Sequence, residues 1–152
     1  MAEETINFYG QFLVNLLEGN ITDLSAAGTV VKLMLATSAY VPDQDNDDAY
    51  DDISAYEVAN GNGYTTAGKT LTNKAVAYAS RTGTFDADDV SWTSSTITAM
   101  YGILYDATPA AVGDKKVILY LNFGENKTTA NETFGQAWDE EGIFGFEIPA
   151  AT

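Results

Sequence analysis

The run KKVILYLNFG, residues 115–124, decides the fold. Side chains of a strand alternate between two faces. From Val117 to Leu121 both alternate sets are apolar, so this segment reads as a central strand buried on each side. The stretches around it keep a period of two. STITAMYGILYD (95–106) puts Ile97, Ala99, Tyr101, Ile103 and Tyr105 on one expected face. TVVKLMLAT (29–37) does the same with Val31, Leu33 and Leu35. TLTNKAVAYAS (70–80) is β-prone and largely polar at alternate positions, and VSWT (90–93), ETFGQAW (132–138) and GIFGFEI (142–148) are shorter candidates. Gly, Asn and Asp separate these segments. Short strands at regular spacing with such turns predict an all-β domain, a β-sandwich or jelly-roll-like fold.

One segment breaks the pattern. In TINFYGQFLVNLLE (5–18) apolar residues recur every three to four positions as Phe8/Tyr9, Phe12/Leu13 and Leu16/Leu17. The spacing predicts a helix opened by Thr5 and closed by Gly19-Asn20, residues that tolerate positive φ. The expected organisation is an N-terminal helix or arm over 1–20 and a single β-sandwich domain over 21–152. The stripe either packs on its own domain or docks on a partner, since an isolated helix of ~14 residues is marginal in water.

Composition narrows the function. The chain has 152 residues with 22 Asp+Glu, 7 Lys+Arg, and neither His nor Cys, so the net charge is 7 − 22 = −15. Ser-His-Asp and Cys-His catalysis, thiol chemistry, disulfides and His/Cys zinc sites are excluded. The acidic balance argues against nucleic acid, whose phosphates need a basic patch. No apolar run approaches the ~18 residues of a membrane span, and MAEETINFYG lacks the basic opening of a secretory signal.

Four features resemble chemistry. Gly63–Thr70, GYTTAGKT, fits the phosphate-loop pattern G-x-x-x-x-G-K-S/T. That pattern needs a buried strand before it and a helix after it. Here AYEVANGN precedes and the strand-like TLTNKAVAY follows, so the expectation is a Gly-rich turn. DQDNDDAYDD (43–52) holds six Asp in ten positions, and Asp43, Asp45 and Asp47 match the first ligands of a calcium loop. The match ends there: Asp48 occupies the glycine position and Ser54 the final glutamate position. Calcium at these three residues is the minor reading, and a solvated acidic loop the major one. Asp86, Asp88 and Asp89 are expected in a turn between hairpin strands, and Asp139–Glu141 in another. Trp92 and Trp138 could stack sugars, but strand-like surroundings favour packing. No cofactor is expected, and the chain is not expected to be an enzyme.

Residues 31–78 also resemble a small structural protein widespread in tailed bacteriophages. Its opening pattern K-x-x-L-x-x-S-x-Y-x-P-D/N is matched by Lys32, Leu35, Ser38, Tyr40, Pro42 and Asp43. Asp52, Ile53, Ser54 and Glu57 match the following D-I/V-S/A-x-x-E segment. Gly63, Tyr64, Leu71 and, displaced by one, Gly68 match G-Y-x-x-G-x-x-L. VSWTSSTITAMYGILYDAT (90–108), VILYLNFGEN (117–126) and GIFGFEI (142–148) resemble its second half, although Met100 and Gly102 stand where Arg and Ala are common. These motifs are structural, without a catalytic residue. The resemblance implies a virion protein made in the host cytoplasm, favouring a capsid decoration (cement) protein on the outer head surface. The implied partners are the major capsid protein and further copies of the chain, with a homotrimer favoured. Phe8, Tyr9, Phe12 and Leu16 would be the partner or capsid interface. A tail, neck or fibre-base component, or a glycan-binding virion module, are the alternatives.

Overall fold

The computed structural model describes residues 4–21 and 23–151. In chain order the elements are β1 (Thr5–Phe8), α1 (Gly10–Glu18), β2 (Val31–Ala36), α2 (Tyr50–Ile53), β3 (Lys69–Thr70), β4 (Ala75–Ala79) and β5 (Thr82–Asp86). Then come β6 (Val90–Ser95), β7 (Thr98–Asp106), β8 (Val117–Thr128), β9 (Glu132–Gln136) and β10 (Phe144–Glu147). The strands form a five-stranded antiparallel sheet in the order β1-β8-β7-β2-β3, a three-stranded sheet β10-β5-β4 and a two-stranded ribbon β6-β9. The protein is an all-β, sandwich-like fold, mostly strand with short helices.

β8 is the central strand its apolar run requires. It lies between β1 and β7, and both its faces are buried from Val117 to Leu121. On one face Leu119, Leu121 and Phe123 join Val31, Leu33 and Leu35 of β2, and meet Phe85, Trp92 and Phe134 from the two smaller sheets. On the other, Val117 and Tyr120 join Met34, Ala36, Ile103 and Tyr105 against Tyr9, Tyr40, Tyr50 and Ile53. Full burial of such a side chain contributes about 1.5–3 kcal/mol, so these two layers hold the sandwich together.

Three local expectations are corrected. The helix starts at Gly10, not Thr5: Thr5–Phe8 extends and pairs with Asn122–Leu119 of β8. The open edge of β8 offers a full backbone ladder, which outweighs a further turn of helix. Gly19 at φ +76 does close the helix, its N–H reaching the Asn15 and Leu16 carbonyls. Residues 5–18 are thus laced into the β domain, with the stripe packed in part on its own domain. On β7 the expected single face is split. Ile97 and Ala99 belong to the first cluster, whereas Tyr101, Ile103 and Tyr105 belong to the second. A register irregularity between Ala99 and Tyr101 turns the strand over. Finally, the Asp86–Asp89 turn does not join hairpin partners, because β5 and β6 belong to different sheets.

Candidate functional site

The four residues singled out at the N-terminus occupy three different environments. Tyr9 and Phe12 are buried in their own domain. Phe8 is half-buried, stacked on Phe12 at 5.8 Å between ring centroids and edge-on to Phe144 at 5.4 Å. Leu16 remains 39% exposed. The helix amide Gly10 N–H donates to the Gln44 carbonyl, and the Gln44 amide donates to the Phe8 carbonyl, locking the β1–α1 corner onto the acidic loop.

Phe12 and Leu16 line an apolar groove of about 360 Å³ between α1 and the β10-β5-β4 sheet. Leu24, Val76, Phe85 and Phe146 add to its apolar lining, and Asp23 and Thr84 line it too. Other apolar side chains of the same elements are exposed. Leu13 and Leu17 are exposed on α1, Leu17 to 78%, and Val76 and Tyr78 on β4 to 58% and 65%. Phe146 and Ile148 are exposed as well. On a chain of net charge −15 these uncovered Leu, Val, Tyr and Phe side chains stand out against an acidic surface. Leu13, Leu16 and Leu17 were visible in the helical stripe. Val76 and Tyr78 were not, because alternation alone cannot say that both faces of a strand lie open. The absence of charge in AVAYA was the available signal.

The acidic loop is organised more tightly than a solvated loop. The Asp43 carboxylate accepts from the backbone N–H groups of Asp45 and Asn46 and from the Asn46 amide. The Asn46 amide, ahead of the backbone donors, holds the Asp43 carboxyl below the usual carboxylate range. Asp47 accepts from the Tyr40 hydroxyl at 2.6 Å and the Asp43 N–H. Tyr40 in turn shares a 2.6 Å hydrogen bond with the Tyr9 hydroxyl. Asp48 accepts from the Asn15 amide and pairs with Lys116, and Asp52 accepts from the Asp48 and Ala49 N–H groups. Among the described residues no three or more acidic side chains converge on a common point where a metal ion would sit.

A second carboxylate does the same work further on. Glu57 accepts from the Tyr50 and Tyr64 hydroxyls and the Ala67 N–H at 2.8, 2.6 and 2.6 Å. Tyr105 donates to the Ala67 carbonyl. Burial is the first cause that pushes the Tyr9, Tyr40, Tyr50, Tyr64 and Tyr105 hydroxyls above the ordinary tyrosine range. Carboxylates here serve as acceptors for phenols that cover the sheet.

The phosphate-loop pattern lies in a different setting from the one it requires. Gly61 and Tyr64 form a tight bridged turn, and Gly68 leads into β3 instead of a helix. Gly63 and Gly68 take φ of +88 and +72. A Cβ on Gly68 would collide with the Leu33 carbonyl, so glycine is required for close backbone approach. Lys69 donates to the Ser91 carbonyl and stands over the Trp92 ring at 5.9 Å. Trp92 itself is buried, and the Trp138 indole N–H donates to the Asp88 carbonyl.

Compared with protein-family models, curated proteins and solved structures, the chain shows no match.

Proposed function

We propose that this chain is a bacteriophage virion structural protein that decorates the outer surface of the head and bridges major capsid subunits. The observation that carries the reading is the uncovered apolar surface of α1 and its groove on an otherwise acidic molecule. Such a surface gains by burial against a neighbour, and whatever binds the folded domain also stabilises it by mass action. Leu16 with Leu13 and Leu17 is then the docking face, while Tyr9 and Phe12 hold the helix that presents it. The resemblance over residues 31–78, 90–108, 117–126 and 142–148 supports a virion role. The surplus of carboxylates suits a surface turned away from packaged DNA.

The test is the place and number of copies in an intact particle. Hundreds of copies on the head exterior, counted in a reconstruction or by quantitative mass spectrometry, are the expected result. A few copies confined to the neck or fibre base would overturn the decoration reading in favour of a tail component.

A further inference from the structure

The edge of β4 carries an inference that goes beyond this reading and holds wherever the chain resides. β4 closes the three-stranded sheet and, among the described residues, pairs with β5 alone. All five of its residues, AVAYA, are exposed. Natural edge strands are usually guarded by Lys, Pro or a bulge; Ala75–Ala79 holds none of these, and Lys74 stands just before it.

The phase of its hydrogen bonds can be read from its neighbours. Ser80 and Arg81, with φ of +50 and +67, form a two-residue hairpin between Ala79 and Thr82. The pair flanking such a turn is hydrogen-bonded, so the alternation makes Ala77–Thr84 bonded and Val76–Phe85 non-bonded. The Phe85 carbonyl agrees: it accepts from Ile143 N–H on the side away from β4. The N–H and C=O groups of Val76 and Tyr78 therefore point outward along the free edge.

We infer that β4 pairs antiparallel with β4 of a second copy of this chain about a two-fold axis at Ala77. Val76 of one copy then stands opposite Tyr78 of the other. Both have outward backbone groups and both lie on the same sheet face, as an antiparallel ladder requires. Ala77 meets Ala77 in the non-bonded position between them. Residues 74–80 carry no Asp or Glu, so the shared edge brings no carboxylates together between two acidic molecules. The result is a continuous six-stranded sheet, with Val76 and Tyr78 of both copies in one apolar row.

The chain has no cysteine, so single introduced thiols report the register. Opposed residues of a non-bonded pair have Cα atoms about 4.5 Å apart, within disulfide reach. In mild oxidant, full-length Ala77→Cys is expected to form a covalent dimer at least tenfold faster than Ala111→Cys, an exposed control. Ala75→Cys is expected to cross-link efficiently only when mixed with Ala79→Cys. Tyr78→Pro, which removes an outward N–H and spares the β5 ladder, should abolish cross-linking in the Ala77→Cys background. Circular dichroism would establish that each variant is folded. Equal rates for Ala77→Cys and the control would overturn the proposal and leave the edge to a strand from another protein. Efficient cross-linking of Ala75→Cys alone would overturn the register.

Discussion

On one side of the main sheet Leu33, Leu35 and Leu104 meet Trp92, Phe134 and Phe85. On the other, Met34, Ile103 and Tyr105 meet Tyr9, Tyr40 and Tyr50, whose hydroxyls end on one another and on Asp47 and Glu57. The first cover comes largely from strands, and its rings are apolar apart from the buried Trp92 indole nitrogen and the Tyr64 hydroxyl. The second comes from the loop between β2 and β3 together with Tyr9, and uses phenols that are apolar along the ring and polar at the tip. A loop rich in carboxylates can cover a hydrophobic sheet if aromatic rings form its inner layer and the acids accept its hydroxyls.

The two covers should fail by different mechanisms. Trp92→Ala removes a buried ring that touches Tyr64 and Phe134, and should cost about 3–5 kcal/mol in urea unfolding. Glu57→Ala leaves two phenol hydroxyls and the Ala67 N–H without their acceptor, and should cost about 2 kcal/mol, with Glu57→Gln milder. Tyr40→Phe should cost about 1 kcal/mol, since it breaks the chain from Tyr9 to Asp47 but keeps the ring. A Glu57→Ala loss as large as that of Trp92→Ala would erase the distinction between the covers.

Alkaline pH separates them further. Burial raises the phenols of the tyrosine cover, so the folded state holds them protonated while the unfolded chain titrates near ~10. Their contribution is fully present below pH ~10 and is lost as pH rises through the unfolded value toward the folded ones. The melting temperature should fall steadily above pH ~10, with tyrosinate absorbance appearing together with unfolding. Tyr40→Phe should weaken that dependence.

The apolar cover was legible from residues, because period two and the two-faced run at 117–121 are direct consequences of strand geometry. The reversal on β7 was not: a bulge leaves no mark in a sequence whose residues are apolar at both Tyr101 and Gly102. The start of α1 was missed because Thr5–Phe8 satisfies both a helical stripe and a strand, and only the distant edge of β8 chooses between them. The inward work of Asp47, Asp48 and Glu57 depends on partners up to 68 residues away, so the loop read as solvated charge. At the candidate site, Leu16 was visible in the stripe. The burial of Tyr9 and Phe12 depended on elements that come together only in the fold. For that reason deleting residues 1–18 would remove core as well as surface, and a point change is the cleaner test.

That change is Leu16→Asp, which places a charge on the groove rim and leaves Tyr9 and Phe12 in place. The account predicts a folded protein whose melting temperature moves by only a few degrees, with occupancy on purified particles reduced at least tenfold. Asp45→Asn, on the exposed acidic loop, should retain full occupancy. Leu16→Asp protein bound to heads at wild-type occupancy would contradict the claim that the α1 surface is where this molecule meets its partner.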